Sequence, residues 1–138
     1  MSFADFGIKS FVPETRVSEF ATHLVQGKVM ATRCGDCTRM SFPPRSGCPS
    51  CGSEAYEWVA IDELGCLLTY TEVMYGPAGF ENEVPYTLAV VEFPIMGIKV
   101  FGQLAAEVAG SGPKVGMALL VRPISLPAGR VSYHFVKA

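Results

Sequence analysis

Two short cysteine motifs constrain this chain more than any other feature of its sequence. Cys34 and Cys37 form one Cys-x-x-Cys turn, and Cys48 and Cys51 form a second one ten residues later. A tetrahedral ion needs four thiolates that converge at about 2.3 Å, and each short turn presents two sulfurs on one side. The spacing therefore predicts one closed metal site, with zinc as the favoured ion.

Two alternatives to zinc remain open at this point. An iron site of the rubredoxin type differs little from a four-cysteine zinc site in sequence. A disulfide or redox pair of the thioredoxin type would need one motif at the start of a helix in a βαβ unit, and no such pattern follows here. Because four thiolates saturate the ion and leave no open position, we expect a structural metal and no catalytic one.

The composition excludes several classes of protein. The chain has 138 residues, of which 49% are hydrophobic and 17% charged, and this suits a metal loop attached to one compact core. A net charge of −2 and a pI of about 5.6 argue against binding to nucleic acid. No apolar run approaches the ~20 residues that span a bilayer, and the first residues lack a secretory signal. We expect a cytoplasmic protein without a membrane segment.

Hydrophobic periodicity predicts a mainly β chain with one helix near its beginning. An apolar stripe predicts an amphipathic helix over 15–26, capped by Thr15 and ended by Gly27, and alternation predicts a short strand over 28–33. Five main strands follow the metal loop, namely 56–62 running into 65–75, 86–93, 98–105, 117–122 and 131–136. Gly102 marks a bulge or a bend. Five antiparallel strands with glycine bends describe a small barrel of the OB type.

The predicted organisation has three parts. Residues 1–30 form an N-terminal arm and the amphipathic helix, 31–55 form the zinc ribbon, and 56–138 form the OB-fold domain. Phe3, Phe6 and Phe11 lie in the arm, where they either fold back on the core or contact another subunit. Phe80 is expected to be exposed near the tip of the loop over 76–85. These four aromatic residues are our candidate partner interface.

No catalytic residue is predicted. His23 is expected to be solvated, His134 structural or solvated, and Cys66 a small buried hydrophobic residue. A stand-alone enzyme that uses Cys66 or the metal is one alternative to a binding role. A nucleic-acid-binding module is another, because OB folds bind single strands, although acidic residues across the barrel oppose it.

The order of these motifs resembles one family, the rubredoxin-like zinc-ribbon/OB-fold proteins associated with acyl-CoA enzymes. The resemblance covers about residues 16 to 137, and one departure is Thr38, where the family often has glycine. The matching positions are Cys34, Cys37, Phe42, Pro43, Pro44, Arg45, Cys48, Pro49, Cys51, Gly52, Gly65, the stretch 85–93 and the turn 115–117.

The resemblance implies a non-catalytic partner in a hetero-oligomer. Family members typically form complexes with thiolase-like enzymes, or with acyl-CoA hydratases or synthases, and the partner supplies the catalytic cysteine. The reactions served include thiolytic cleavage of an aromatic acyl-CoA such as benzoylsuccinyl-CoA.

Three arginines around the metal loop have two interpretations. Arg33, Arg39 and Arg45 are suited to bidentate contact with the phosphates of coenzyme A or an acyl-CoA. Alternatively they solvate the loop or neutralise the charge of the four thiolates.

Overall fold

The computed structural model describes residues 5–8, 15–82 and 84–138. They form two small β units and a preceding helix that contacts both. The elements in chain order are α1 (Glu19–Val25), β1 (Met30–Cys34), β2 (Met40–Ser41), β3 (Tyr56–Ala60), β4 (Gly65–Val73), β5 (Tyr86–Phe93), β6 (Ile98–Leu104), α2 (Ala106–Gly110), β7 (Ala118–Leu126) and β8 (Arg130–Lys137). In these residues no helix is both long and apolar enough to cross a membrane.

The first unit is a three-stranded antiparallel sheet in the order β2-β1-β3. All five residues of β3 pair with β1, from Met30 opposite Ala60 to Cys34 opposite Tyr56. The predicted continuation of this strand into the barrel is wrong. Alternation shows that a segment is a strand, but it does not show which sheet the strand joins. The domain limits at residues 31 and 56 stay a prediction.

The second unit is a closed barrel in the order β4-β5-β6-β8-β7. Four of its junctions are antiparallel, whereas β6 and β8 run parallel, with Gln103 opposite His134 and Leu104 opposite Phe135. The expectation of five purely antiparallel strands is therefore corrected at this junction. The predicted class is confirmed: a mainly β chain with an N-terminal helix, a four-cysteine ribbon and a five-stranded barrel.

Alternating side chains fill the barrel. Along β5, Thr87, Ala89, Val91 and Phe93 are buried, and the residues between them are partly exposed. Because successive side chains of a strand point to opposite faces, this pattern places one face of β5 in the core. Aliphatic and aromatic residues from the other strands complete that core, among them Leu67, Val100, Leu119, Val121 and Phe135.

Helix α1 is shorter than the sequence predicts. Thr15 lies in a turn before it, where the Ser18 hydroxyl donates to the Thr15 carbonyl oxygen at 2.6 Å, and the helix begins at Glu19. Phe20 and Leu24 are buried as expected, but Val25 is 54% exposed. Gly27 follows the helix with φ of 86° and ends it in a left-handed conformation, as predicted.

Two strands differ from their predicted form for identifiable reasons. Strand β7 continues through Pro123, although the sequence predicts that this proline ends it. Beyond its first two residues β7 pairs with β8 alone, and a proline is tolerated where one side of a strand is free. Gly102 is needed for packing, because a Cβ there would lie 2.9 Å from Cε2 of Tyr133. The irregular pairing occurs instead in β4, between Leu67 and Thr69.

An aromatic cluster joins the two β units. Phe20 of α1 and Phe42 of the metal loop lie 5.9 Å apart, and Phe42 lies 5.5 Å from Tyr133 of β8. Phe6 contacts Phe20 at 5.4 Å and Tyr133 at 6.3 Å. These centroid distances suit edge-to-face and stacked rings, which contribute beyond their buried area. We call these four residues the aromatic cluster.

Gly65 gives a first test of the barrel packing. A Cβ at this position would overlap Cγ1 of Val91 and lie 2.9 Å from Cε1 of Phe93, whereas a Cβ at Gly110 would meet nothing within 4 Å. We expect Gly65→Ala to lower the free energy of unfolding by about 1–3 kcal/mol through overpacking. Gly110→Ala is the matched control and should leave it unchanged or raise it by about 0.5–1 kcal/mol. Urea unfolding measures both, and equal values would refute the close packing at Gly65.

Tyr133 gives a second test. Burial raises its pKa to about 12, and its hydroxyl donates to the carbonyl oxygen of Phe101 at 2.6 Å. The unfolded chain loses this proton near pH 10, so the contribution of Tyr133 is present below about pH 10 and is lost as the pH rises toward 12.

We therefore expect Tyr133→Phe to be less stable by about 1 kcal/mol at pH 8, because it lacks the hydrogen bond. Above about pH 10 the difference should shrink and then reverse, since phenylalanine does not titrate. Urea unfolding of both proteins between pH 8 and 11 measures this. Parallel stability curves would show that the hydroxyl is not buried in the fold.

Candidate metal centre

The four sulfurs of the two Cys-x-x-Cys motifs converge. Those of Cys34, Cys37, Cys48 and Cys51 all lie within 4.8 Å of one another. The Sγ–Sγ distance is 3.5 Å between Cys34 and Cys51 and 3.4 Å between Cys37 and Cys48. Thiolates bound at about 2.3 Å to a tetrahedral ion lie about 3.8 Å apart, whereas a disulfide needs about 2.05 Å. The arrangement fits one ion and no disulfide.

Backbone N–H groups in each turn point at the sulfurs. Cys34 Sγ accepts from the amides of Asp36 and Cys37, and Cys48 Sγ accepts from the amide of Ser50, each at 3.4 Å. These bonds need the chain to fold over the sulfur immediately after the first cysteine of each motif. Strand β1 ends at Cys34, so the sheet holds the first turn in place.

Both turns end in a left-handed residue. Thr38 has φ of 66° and Gly52 has φ of 76°. The amide of Thr38 donates to the carbonyl of Cys34 at 3.1 Å, and the amide of Gly52 donates to that of Cys48 at 3.0 Å. A non-glycine residue at such a φ costs about 1–3 kcal/mol. Thr38 therefore departs from the family in residue type, but it adopts the geometry that glycine would give.

The surroundings split the four thiols into two kinds. The backbone N–H of Cys37 lowers the pKa of Cys34, and that of Cys51 lowers the pKa of Cys48 to about 6. For Cys37 and Cys51 a backbone hydrogen bond acts the same way, but the neighbouring sulfurs outweigh it and raise the pKa, for Cys51 to about 12. Four adjacent thiols thus resist joint ionisation, and a bound cation is what would stabilise all four thiolates.

The other nucleophilic and titratable groups do not form a catalytic pair. Sγ of the half-buried Cys66 lies 4.0 Å from the carbonyl oxygen of Leu67. The imidazole of His23 packs at 5.1 Å from Trp58 with both nitrogens buried, and it has no hydrogen-bond partner among the described residues. The expectation that His23 is solvated is therefore wrong, because α1 packs this side against the ribbon sheet.

Groups of the ribbon bind the side chains of Arg33 and Arg39 and the backbone of Arg45. Nε of Arg33 donates to Glu57 at 2.6 Å, and Nη1 of Arg39 donates to the Ser50 hydroxyl at 2.5 Å. The backbone amide of Arg45 donates to Oγ1 of Thr32 at 2.9 Å. A contact between these arginines and coenzyme A stays a prediction.

The candidate interface residues lie in different surroundings. Phe6 packs into the aromatic cluster, and Phe80 is half-buried beside Tyr86 at 5.8 Å and not fully exposed. Phe3 and Phe11 lie outside the described residues. Whether these aromatic residues contact a partner stays a prediction.

A cavity of about 800 Å³ lies on the barrel, between β5, β6, β8 and α2. Its polar residues are Glu72, Thr87, Gln103, Ser132 and His134. Sequence reasoning missed it, because its walls come from segments that are distant in the chain. The run over 106–109, which the sequence prediction leaves unassigned, falls in α2.

Comparison with known proteins identifies the family. The model of the ChsH2 rubredoxin-like zinc ribbon domain matches residues 21–57, and that of the ChsH2 C-terminal OB-fold domain matches residues 58–122. This chain belongs to the ChsH2 family. The predicted resemblance is confirmed, since both halves match in the order that the motifs indicated.

The similar proteins include a scaffold protein, a thiolase subunit and a solved aldolase. A DUF35 domain-containing scaffold protein of Methanocaldococcus jannaschii is 29% identical over 71% of this chain and 70% of its own length. The benzoylsuccinyl-CoA thiolase subunit BbsA of Geobacter metallireducens is 30% identical over 76% of this chain and 71% of its own length. A solved Ltp2-ChsH2(DUF35) aldolase has the same fold, with a TM-score of 0.74 and 22% identity over 91% of this chain and 97% of that one.

Replacing one thiol tests the metal centre. We expect Cys48→Ser to lose the bound metal and with it a metal-dependent stabilisation on the order of 10 kcal/mol. Cys66→Ser is the matched control, because Cys66 lies outside the cluster of four sulfurs and should keep the full metal content. Elemental analysis of the purified proteins and their thermal unfolding measure both effects. Equal metal content in the two variants would refute the site.

Proposed function

We propose that this chain is a non-catalytic, zinc-binding subunit of a thiolase-like acyl-CoA enzyme. In this role it assembles with the enzyme and helps to organise the binding and turnover of the acyl-CoA. The observation that carries the proposal is the combination of a saturated four-sulfur centre with relatives that include a thiolase subunit and a scaffold protein.

The donor set supports zinc and a structural role. Zinc has no geometric preference of its own and accepts the tetrahedral arrangement that four thiolates impose. All four positions are then filled by protein, so the ion has no place for water or substrate. The ion would fix the loop between Cys37 and Cys48, and the chemistry would belong to the partner.

The described residues lack the parts of a thiolase site. A thiolase needs a cysteine activated by a neighbouring base, within hydrogen-bond reach. Neither Cys66 nor one of the ribbon cysteines makes a hydrogen bond to His23 or His134 in this part of the chain. The catalytic cysteine and its base are therefore assigned to the partner.

One end of the barrel offers an apolar surface for that partner. Leu64 is 56% exposed, Ile95 89% and Val115 66%, each on a loop that precedes or joins barrel strands at this end. The Glu63 carboxylate accepts from the amides of Ile95 and Met96 at 2.7 and 2.9 Å, which holds the loop of Ile95 rigid. Exposed aliphatic groups on rigid loops are typical of interaction sites.

Contact of Arg33, Arg39 or Arg45 with the phosphates of coenzyme A is a finer part of the proposal. The same holds for Phe80 at the partner interface and for an aromatic acyl-CoA such as benzoylsuccinyl-CoA as the substrate. Arg33 would exchange its bond to Glu57 for a phosphate, which is feasible because both side chains of that ion pair are about half exposed, 44% and 57%.

Assembly with the enzyme is the direct test. We expect the tagged chain to co-purify from its native source with a thiolase-fold protein, identified by mass spectrometry, and to turn over no acyl-CoA alone. Ile95→Asp should reduce the recovered partner by about tenfold or more, because it buries a charge in an apolar contact.

Val25→Asp is the matched control for this experiment. It places the same charge on an exposed aliphatic position of α1, away from the barrel end, and should leave the complex intact. A monodisperse monomer from the native extract, or turnover by the purified chain, would contradict the proposed function.

A further inference from the structure

The barrel cavity has the size and lining of a site for a small molecule. Its volume of about 800 Å³ falls in the usual range for ligand pockets, about 300–1,000 Å³. Residues of β5 and β6 line it, and these are the strands of an OB fold that commonly form its binding face. Aromatic rings border it from four segments of the chain, namely those of Phe6, Phe80, Tyr86, Phe101 and Tyr133.

The polar side chains of the cavity are free to bind a ligand. Glu72, Thr87, Gln103, Ser132 and His134 line it, and none of these side chains makes a hydrogen bond to another described residue. Strand register places Gln103 directly opposite His134, so their side chains share one face of the sheet. Ser132, two residues before His134, shares that face, whereas Thr87 lies on the core-facing side of β5, and polar groups that converge on one face fix the orientation of a ligand.

The charges at the cavity restrict the ligand. Glu72 brings a carboxylate, and no lysine or arginine lines the cavity in the described chain. Burial lowers the pKa of His134, against the opposing effect of Glu107, so its imidazole stays neutral at pH 7. Two arginines lie near it in the strands: Arg122 is opposite His134, with its Nη1 donating to the Val121 carbonyl at 2.9 Å, and Nε of Arg130 donates to the Gly7 carbonyl at 2.6 Å. A phosphate or carboxylate would lose its water here without a cation in return, which is costly.

We propose that this cavity binds an uncharged group that carries a flat apolar ring and a hydrogen-bonding atom, and that it rejects anions. The rings of Phe101 and Tyr86, on the same sheet face as Gln103, stack against the apolar part of the ligand, and Gln103, Ser132 and His134 bind its polar atom. The phosphates of a coenzyme therefore have no place in it. The site belongs to this chain alone and does not depend on the proposed function.

Benzamide and benzoate are matched probes, because they share a ring and differ in charge. We expect benzamide to bind the isotopically labelled, purified chain with a Kd of about 1–10 mM, as suits so small a ligand. The NMR shifts should be saturable and centred on the amides of Gln103, Ser132 and His134. Benzoate should bind at least about tenfold more weakly.

A pair of alanine substitutions identifies the site. Ala106 is exposed on α2 and lines the cavity, so Ala106→Trp should fill it and weaken benzamide by about tenfold or more. Ala118→Trp makes the same change at an exposed position of β7 outside the cavity, and it should leave the affinity unchanged. The dispersion of the amide signals shows that both variants are folded.

Three results would overturn the proposal: no saturable shift with benzamide, equal affinity for benzoate, or equal loss in the two tryptophan variants. None of them bears on co-purification with an enzyme. Conversely, a chain that purifies alone but binds benzamide in the cavity would refute the proposed function and leave this site standing.

Discussion

The contact of Phe42 with Tyr133 and Phe20 joins the metal loop to the barrel. The ribbon sheet and the barrel each close their own backbone hydrogen bonds, so side-chain packing has to fix one against the other. Phe42 extends from the metal loop to the ring of Tyr133 on β8, and Phe20 of α1 contacts both rings. Val29 and Ala31, at the start of the ribbon sheet, also lie in the same hydrophobic cluster as the barrel core, so the Phe42 contact extends a continuous apolar interface between the two units.

This arrangement links the metal centre physically to the cavity. Phe42 lies in the loop between the second and third cysteines, so an ion that fixes this loop also fixes the position of the Phe42 ring. Tyr133 contacts that ring on one side and borders the cavity on the other, where Gly102 leaves room for it. A metal ion bound there would stabilise more than its own loop, because the wall of the cavity packs against Phe42 of that loop.

Local features were predictable from the sequence, and long-range pairing was not. The spacing of Cys34 to Cys51 indicated the site because each turn is complete within four residues, and an apolar, β-rich run between Pro85 and Pro94 gave β5 at its observed limits. Strand β3 was assigned to the wrong sheet because its partner, β1, lies about 25 residues earlier in the chain. The burial of His23 depends on Trp58, and the cavity depends on six separate segments, so no sequence window contains either feature.

The distribution of charge separates the functions that this fold can serve. An OB barrel that binds nucleic acid needs a basic groove beside its stacking rings, and here the rings are present while the described lining has no lysine or arginine. Arg130 donates to the carbonyl oxygens of Phe6 and Gly7 and so fixes an N-terminal segment, and Arg122, opposite His134, donates to the carbonyl oxygen of Val121. On the ribbon, by contrast, the side chain of Arg33 is 44% exposed.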